Sequence, residues 1–439
     1  MSSPHRLAWG NYPSTPQELT DCHWLSELPA TLEALRQSVG STLAQGAARS
    51  YGDSCYAASG RVLHTGALNR FISADWVSGT LVAEAGVTLE DILRVTIPRG
   101  WFIPVTPGTK YVTLGGAIGN DVHGKNHHRR GTFGCHVHRF GLLRSDRGRL
   151  ECSPTQNADL FAATVGGLGL TGVIEWAEIA LVPIRSSQVN TVTQRFDDLE
   201  GFFHLSQELD ARHEFCVSWI DCAARGRSLG RGVYMAGDFS ENGPLKVADS
   251  SKLSVPFTPP IPLINRLTLQ AFNQAYWHRA PARPRQAQVS YDPFFYPLDA
   301  ILHWNRVYGR RGFQQYQALI PEAEAPAGIR ALLHAIGDAH TGSFLAVLKR
   351  CGDLPSPGLL SFPRAGTTLA LDFPHTDQLE PGLFKRLDAI VRETGGRLYP
   401  AKDAHWGGED FRQGYPDWAA LEALRDPAIL SHFWKRVTS

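Results

Sequence analysis

Three loops rich in glycine and other small residues lie within the first 185 residues of this chain. They occupy residues 45–53 (QGAARSYGD), 107–120 (PGTKYVTLGGAIGN) and 165–172 (VGGLGLTG). Small residues let a backbone approach a ligand closely, and the charge of Arg49 and the hydroxyl of Ser50 suit a phosphate group. Three such loops in one half of the chain predict a site for an extended cofactor that carries phosphate.

Two of these loops allow more than one interpretation. If a helix begins at Thr113, its first amide groups and positive dipole end face an anion, and otherwise the segment is a glycine-rich turn packed under a sheet. The glycine spacing at 165–172 overlaps a dinucleotide-binding pattern. That loop follows a predicted helix and not a strand, however, so the usual context of the dinucleotide fingerprint is missing.

The elements predicted around the loops change character near residue 186. Before it, short strands alternate with helices, among them a helix that begins after Thr88 with a capping box. After it, strand-like segments separated by long connections, with two helices, predict an antiparallel sheet covered on one face. Residues 224–290 are rich in proline and glycine and are a candidate mobile active-site loop or lid.

Charge and cysteine content exclude several classes of protein. The 43 basic and 42 acidic residues leave a net charge of +1, without the basic excess of a nucleic-acid binder. Seven cysteines with no Cys-x-x-Cys pair argue against a disulfide framework or a structural zinc. The first residues, MSSPHR, lead into a polar stretch without the apolar core of a signal peptide, so we expect a soluble, cytoplasmic protein.

Five histidines between residues 123 and 138 raise the question of a metal. Zinc needs three or four ligands that converge, and no carboxylate motif completes a set here. We therefore predict no metal and expect polar lining of a site from these residues: His123, His127, His128, His136 and His138.

The loops resemble the FAD-binding half of the vanillyl-alcohol-oxidase-type flavoproteins. Four further segments make the sequence similar to one group within them, the decaprenylphosphoryl-β-D-ribose oxidases: residues 121–128 (DVHGKNHH), 313–317 (FQQYQ), 371–374 (LDFP) and 396–403 (GRLYPAKD). The resemblance implies an α+β fold of two domains. Residues 1–185 and 397–439 would form the PCMH-type FAD-binding domain, and 186–396 an antiparallel-sheet substrate domain.

The resemblance also implies the cofactor. Many relatives carry a histidine in the first loop that bonds covalently to the flavin, whereas Tyr51 stands there in this chain. It therefore implies non-covalent FAD. The residues assigned to FAD in this way are Gly46, Ala47, Ala48, Arg49, Ser50, Tyr51, Gly52, Asp53, Pro107, Gly108, Thr113, Leu114, Gly115, Gly116, Asn120, Asp121, His123, Gly172, Val173 and Tyr399.

The implied reaction is oxidation of the 2′-hydroxyl of a polyprenyl-phosphoryl-β-D-ribofuranose to the 2-keto compound. That is the first half of an epimerisation to a D-arabinofuranose donor. A lipid substrate would bring the protein to a membrane surface, at the inner membrane, and an NAD-dependent keto-reductase would complete the epimerisation. The alternatives are an alditol or aldonolactone oxidase of the same flavoprotein family, or a flavin- or carbohydrate-binding protein without turnover.

Lys402 is the first candidate for contact with the reacting hydroxyl, either as a neutral amine that takes the proton or as a cation that stabilises the alkoxide. His123 either orients the substrate or is a core histidine, and Lys125 is assigned to the lipid phosphate or the sugar oxygens. Gln315 and Gln317 alternate on a predicted strand and so share one face. They are assigned to the site, where their amides would hydrogen-bond the flavin ring and the sugar, with a solvated face as the alternative.

The resemblance implies further residues of the pocket wall. Tyr51, Trp219, Tyr296 and Lys349 are assigned to the substrate pocket, with ordinary core packing as the alternative for Trp219. Ala370 stands where the related oxidases carry a cysteine known for capturing nitro-aromatic inhibitors. Because no thiol remains at that position, the resemblance implies that covalent trapping is lost.

Overall fold

The computed structural model describes residues 5–249, 253–339 and 341–439. The first part of the chain, to residue 183, contains β1 (His5–Arg6), β2 (Gln17–Asp21), α1 (Leu28–Val39), β3 (Ala44–Gln45), β4 (Arg61–His64), β5 (Phe71–Asp75), β6 (Thr80–Glu84), α2 (Leu89–Thr96), β7 (Trp101–Phe102), α3 (Leu114–Gly119), α4 (His127–Arg130), β8 (Val137–Arg144), β9 (Gly148–Cys152), α5 (Ala158–Thr164), β10 (Val173–Ala180) and β11 (Val182–Pro183).

These elements build two sheets. One has four strands in the order β1-β2-β4-β3, and the other has five in the order β5-β6-β10-β8-β9. The capping box predicted for α2 is present, because the Thr88 hydroxyl accepts from the Asp91 amide and the Asp91 carboxylate accepts from the Thr88 amide. A buried cluster that includes Leu81, Ile92 and Phe140 joins α2 to the five-stranded sheet.

The rest of the chain contains β12 (Gln188–Phe196), α6 (Leu199–Asp210), β13 (Phe215–Ile220), β14 (Gly232–Phe239), β15 (Leu253–Ser254), α7 (Arg266–Arg279), β16 (Arg285–Ser290), α8 (Tyr291–Phe295), β17 (Ile301–Leu302), β18 (Phe313–Pro321), α9 (Ala325–Asp338), β19 (Ala346–Cys351), β20 (Gly366–Pro374), α10 (Lys385–Glu393), β21 (Arg397–Leu398), α11 (Gly408–Gly414), α12 (Trp418–Leu424) and α13 (His432–Thr438).

The centre of this part is an eight-stranded sheet in the order β16-β12-β14-β13-β19-β20-β18-β21. Every pairing in it is antiparallel, as predicted. Helices α6, α9 and α10 contribute Leu205, Leu332 and Leu387 to a core cluster shared with the sheet. The fold is therefore of the α+β class, with the sheet packed on one side by helices.

The range 224–290 is not the single loop that the sequence suggested. It contains β14 and β16, two strands of the eight-stranded sheet, and helix α7. Strand β14 has few exposed positions, so it lacks the alternation of polar and apolar residues that identifies a half-buried strand. Residues 250–252 of the predicted loop lie outside the described part of the chain.

The end of the chain packs against its beginning. Thr42 forms a bridge with Ile429, and Ala57 forms one with Ser431. Strand β21 pairs with β18, so the first residues of the predicted 397–439 segment belong to the eight-stranded sheet and the contact with the N-terminal part begins after them. This return brings the segment after β21 next to the first small-residue loop.

Candidate active site

A cavity of about 440 Å³ lies where the small-residue loops meet the eight-stranded sheet. Loop residues 46–51 and 106–109 form one part of its wall, and side chains from β18, β19 and β20 form another. Strands place alternate side chains on one face, which explains how Gln315 and Gln317 both reach the cavity from β18. The predicted cofactor loops and the predicted substrate residues therefore share one space.

Helix α3 begins after Thr113, so the segment is a helix and not the glycine-rich turn that was the alternative. Its first amides are not free for an anion, however, because Leu114 donates to the Val87 carbonyl and Gly115 to the Ala85 carbonyl, both at 2.8 Å. The Gly116 amide donates to the Thr113 hydroxyl. Helix α3 is thus tied to the neighbouring chain, and its amides carry no anion site.

The first loop packs tightly on the start of this helix. A Cβ atom built on Gly46 would lie 2.3 Å from Thr113 Oγ1, so only glycine fits there. Ala48 has a φ of 50°, in the left-handed region, which turns the chain sharply before Arg49. The Arg49 guanidinium lies 4.1 Å from the centre of the Trp9 ring, and both residues line the cavity.

Two observations test whether these loops fit FAD. Gln45 and Ser54 line the cavity. The Oε1 atom of Gln45 and the Oγ atom of Ser54 are buried, and neither has a hydrogen-bond partner within the described part of the chain. A Cβ built on Gly108, another wall residue, meets no atom within 4 Å. Unused polar atoms and open space at a glycine are what a bound dinucleotide requires, so the residues fit the cofactor.

Lys402 lines the cavity beside Tyr51 and Asp372. Its Nζ atom is 3.5 Å from the centre of the Tyr51 ring. Burial lowers the pKa of Lys402 below its usual range, although the charge of Asp372 raises it in part. Burial likewise raises the pKa of Asp372, which accepts a 2.5 Å hydrogen bond from Gln315 Nε2. This group can hold or move a proton near neutral pH.

A second group centres on His123. The Nζ atom of Lys349 lies 2.7 Å from His123 Nδ1, and Gln317 Nε2 lies 3.2 Å from His123 Nε2. Burial, and then the charge of Lys349, hold the pKa of His123 well below its ordinary value. His123 is therefore a neutral ring fixed on both sides by polar side chains in the cavity wall.

Lys125 and Asp299 are further charged residues of the wall. Burial lowers the pKa of Lys125 to about 8, and its Nζ atom lies 3.5 Å from the Phe295 carbonyl oxygen. Burial raises the pKa of Asp299 to about 6, and this carboxylate accepts a 2.8 Å hydrogen bond from the Lys110 amide. A cationic and an acidic group thus stand on a largely apolar wall, where each can bind a polar part of a ligand.

Most of the predicted residues line this cavity. For the cofactor they are Gly46, Ala47, Ala48, Arg49, Ser50, Tyr51, Pro107, Gly108, Thr113, Gly115, Gly116, Asn120, His123, Gly172 and Tyr399, and for the substrate Lys125, Gln315, Gln317, Lys349, Ala370 and Lys402. Tyr399 donates a 2.8 Å hydrogen bond to the Asn120 carbonyl and stacks on Phe362.

Five residues predicted to bind the cofactor are placed behind the wall. Asp121 is buried and accepts hydrogen bonds from Ser356, Ser361 and the Gly134 amide, so it holds the chain behind the cavity. Asp53 is buried in an ion pair with Arg436. The remaining three are core or backbone positions: Gly52, Leu114 and Val173.

Two predicted substrate residues also lie outside the wall. The Trp219 ring packs 4.6 Å from that of Tyr276 and donates to the Phe344 carbonyl, so the core-packing alternative describes it better. On β13, Val217 takes the wall position instead. Tyr296 is fully buried, and its hydroxyl lies 2.7 Å from the hydroxyl of Thr106, through which it supports the wall.

Asp372 and Asp299 are the site residues that the sequence did not single out. Asp372 lies within the segment 371–374 that carries part of the resemblance. An acidic residue inside an apolar strand is unusual, and this feature could have marked Asp372 as a site residue. Asp299 lies in a proline-rich stretch that showed no such signal.

The clustered histidines do not converge on one point. His127 Nδ1 accepts from the Gly352 amide, His136 bonds to the Arg130 carbonyl, and His138 pairs with Glu178. Among the described residues, His128 does come within ligand distance of Asp210 and Cys216. Hydrogen bonds to Asp210 from Tyr234 and Cys216 account for that arrangement, and the absence of a metal stays a prediction.

Comparison with known proteins places this geometry in a family. The family model for an FAD binding domain matches residues 22–153. Decaprenylphosphoryl-β-D-ribose oxidase of Mycolicibacterium smegmatis is 34% identical over 417 residues, which cover 91% of this chain and 89% of that protein. This chain belongs to the decaprenylphosphoryl-β-D-ribose oxidase family. The sequence-based recognition of the family, of the FAD-binding fold and of FAD as cofactor is thereby confirmed.

Other relatives are consistent with this membership. An uncharacterized protein in the mprA 5′ region of Streptomyces coelicolor is 33% identical over 359 residues, 78% of this chain and 96% of that protein. L-gulonolactone oxidase of Mus musculus is 29% identical over 152 residues, only 34% of each chain. The lactone oxidases thus share a part of the chain, whereas the ribose oxidase shares nearly all of it. The chain is an FAD-dependent oxidoreductase of this family.

No helix in the described part of the chain combines the length and the apolar composition needed to span a membrane.

Proposed function

We propose that this protein oxidises the 2′-hydroxyl of a polyprenyl-phosphoryl-β-D-ribofuranose to the 2-keto compound. The observation that carries the proposal is the meeting, in one cavity, of the cofactor loops with buried Lys402 and its neighbour Asp372. The substrate is taken from the relative that shares 91% of the chain and is named for its action on decaprenylphosphoryl-β-D-ribose. When bound, FAD supplies the two-electron acceptor for this oxidation.

The residues of the cavity have separate roles in this alcohol oxidation. The carbinol C–H bond breaks with loss of a hydride, the O–H bond breaks with loss of a proton, and a C=O bond forms. Lys402 takes the hydroxyl proton, because burial favours the neutral amine over the ammonium. Asp372 is a positioning residue that faces Lys402 and adjusts how readily it accepts that proton.

The remaining wall residues orient the sugar. Gln317 and His123 offer neutral polar groups that are held by Lys349 and Thr368. Lys125 supplies a positive charge for the substrate phosphate, since an ammonium attracts phosphate as a point charge. Ala370 leaves room in the wall where a larger side chain would narrow it.

We also propose that FAD is held without a covalent bond, that the protein works at a membrane surface where its lipid substrate resides, and that an NAD-dependent keto-reductase consumes the 2-keto product. Tyr51 supports the first point, because a phenol that packs against Lys402 replaces the histidine that forms the covalent link in other flavoproteins. The reactivity of a 2-keto sugar supports the third, since only a reduction converts it into the epimeric alcohol.

The test uses the purified holoprotein. Acid precipitation should release FAD into the supernatant, and anaerobic addition of polyprenyl-phosphoryl ribose should bleach the flavin absorbance and yield a product two hydrogens lighter. The 2′-deoxy analogue is the matched control and should leave the flavin oxidised. Bleaching by a soluble aldonolactone but not by the lipid-linked ribose would favour the lactone-oxidase alternative, and no bleaching by either would favour a binding protein.

A further inference from the structure

Exposed apolar side chains are concentrated in one region of the molecule. Thirteen large hydrophobic residues are exposed within the described part of the chain, and seven of them fall between residues 253 and 301. We call these seven the apolar surface: Leu253, Phe257, Ile261, Leu263, Leu267, Phe272 and Ile301. Leu267 is 77% exposed and Ile261 is 70% exposed, values that water-soluble proteins normally avoid in a cluster.

Backbone pairing brings the two ends of the apolar surface together. Strand β15 pairs in parallel with β17, so that Leu253 is opposite Ile301. Further along, the Leu263 amide donates to the Val307 carbonyl at 2.9 Å. Ile264 points the other way, into a buried cluster with Tyr308. The exposed side chains of this segment are thus held on a defined framework.

Helix α7 continues the apolar surface. It is anchored on its inner side by buried Leu269 and by Asn273, whose amide donates a 2.7 Å hydrogen bond to Asp221. Leu267 and Ala271, one turn apart, are on its exposed side. The helix therefore presents apolar side chains outwards although its inner face is already packed.

Six of the seven residues of the apolar surface lie in a chain segment whose charged residues are all basic. Residues 250–291 contain no aspartate or glutamate, and their charged residues are Lys252, Arg266, Arg279, Arg283 and Arg285. The whole chain has nearly equal numbers of basic and acidic residues, so this segment departs sharply from the average. Arg279, Arg283 and Arg285 are exposed at the end of α7 and beyond it.

The apolar surface also borders the cavity. Ile301 belongs to both, and Leu302, His303 and Trp304, which follow it, line the cavity. A ligand that leaves the cavity along these residues reaches the apolar surface directly.

We infer that the apolar surface and its basic residues dock on an anionic lipid bilayer. Exposed leucine, isoleucine and phenylalanine side chains enter the boundary between headgroups and acyl chains, and arginines bind the anionic headgroups. A second copy of the chain fits less well, because a two-fold interface would bring like charges together. The docking itself does not depend on the proposed function. Its consequence does rest on that function: a polyprenyl chain stays in the bilayer while its phosphoryl ribose enters the cavity.

The test is co-sedimentation of the holoprotein with lipid vesicles in the absence of substrate. Binding is expected to phosphatidylcholine vesicles that contain phosphatidylglycerol, to be much weaker with phosphatidylcholine alone, and to fall at high salt. Leu267→Glu and Phe257→Glu should each weaken the binding of the protein to vesicles about ten-fold or more. Each substitution puts a charge at a position whose apolar side chain enters the bilayer. Val77→Glu is the matched control, since Val77 is 93% exposed on a turn far along the sequence, and it should bind as the unchanged protein does.

Each outcome decides between named possibilities. Equal loss in the Val77→Glu control, or binding that ignores lipid charge, overturns the inference. The inference is also overturned if the protein does not bind vesicles but forms a dimer in solution that Leu267→Glu dissociates. The apolar surface would then be a protein interface. FAD content equal to that of the control shows that the variants are folded.

The inference and the proposed function fail separately. If the protein binds vesicles but polyprenyl-phosphoryl ribose does not reduce its flavin, the docking surface stands and the proposed function is overturned. Reduction by detergent-dispersed substrate without vesicle binding would do the reverse.

Discussion

Lys402 and Tyr51 are in direct contact, with the Nζ atom 3.5 Å from the centre of the phenol ring, although 351 positions separate them in the chain. The contact joins the C-terminal return to the first cofactor loop. It holds an amine whose pKa is lowered by burial beside Asp372, a carboxylate whose pKa is raised by burial. The placement of a proton acceptor at the cofactor loops follows from this arrangement and supports the proposed oxidation.

Replacing Lys402 by methionine should remove the proton acceptor and leave the shape of the wall nearly intact. We expect the rate of flavin reduction by substrate to fall by about 10²- to 10⁴-fold, the usual size of a general-base contribution. Anaerobic stopped-flow measurement of flavin bleaching gives the rate, and the visible spectrum shows whether FAD is retained. An unchanged rate in a fully flavinated variant would remove Lys402 from the mechanism.

Replacing Asp372 by asparagine should move the pH dependence of the same rate. If the neutral Lys402 amine is the base, the rate rises with pH as Lys402 loses its proton. The Asp372 carboxylate stabilises the ammonium and raises the pKa of Lys402, so removing that charge lowers the pKa and shifts the rise to lower pH. A rate that falls with rising pH in the unchanged protein would instead show that the cationic lysine stabilises an alkoxide.

Replacing Lys125 by methionine should affect binding more than chemistry. The charge proposed to meet the substrate phosphate interacts alike in the ground state and the transition state, so we expect KM to rise about ten-fold with little change in kcat. Steady-state kinetics with an artificial electron acceptor measures both constants. A fall in kcat with an unchanged KM would place Lys125 at the reacting carbon instead.

Replacing Ala370 by cysteine should introduce a reactive thiol into the cavity wall. Ala370 lines the cavity, as does the native residue Cys55. We expect a thiol-reactive probe to modify residue 370 in the variant, and we expect bound substrate to slow that modification. Peptide mass mapping locates the adduct, with Cys55 as the internal control. The unchanged protein should form no adduct at the segment around residue 370.

Replacing Arg436 by methionine should destabilise the fold. Arg436 on α13 donates hydrogen bonds to Asp53 at 2.8 Å and to Asp403 at 2.9 Å, and both carboxylates are buried. Its removal leaves the buried carboxylate of Asp53 without its cation and that of Asp403 with His405 alone, at a cost of about 3–5 kcal/mol in the free energy of unfolding.

Urea unfolding of the holoprotein measures this cost, and Arg185→Met is the matched control. Arg185 pairs with Glu241 on the surface, where both side chains are at least 75% exposed, so its loss should change the free energy of unfolding by less than about 1 kcal/mol. Equal effects in the two variants would contradict a special role for the buried group.

Local features of the structure could be predicted from the sequence. The capping box at Thr88 and the strand that carries Gln315 and Gln317 follow from residue spacing over a few positions, whereas the helix after Thr113 was one of two interpretations that the spacing left open. Strand β14 could not be found in this way, because a strand with few exposed positions shows no alternation. The small-residue loops were recognisable because glycine is required where two backbones meet closely, as at Gly52, where an added Cβ would lie 1.8 Å from the Asp403 carbonyl oxygen.

Residue types and their local spacing were enough to recognise the family and the cofactor class, and most of the residues predicted for the site do line the cavity. Which of these residues meet one another depends on the tertiary structure. The pairing of Lys349 with His123 across 226 positions depends on the order of strands in the sheet, and so does the approach of Asp372 to Lys402. The same is true of the amides of α3, which neighbouring carbonyls occupy. Such contacts arise from long-range packing, and no local period in the sequence records them.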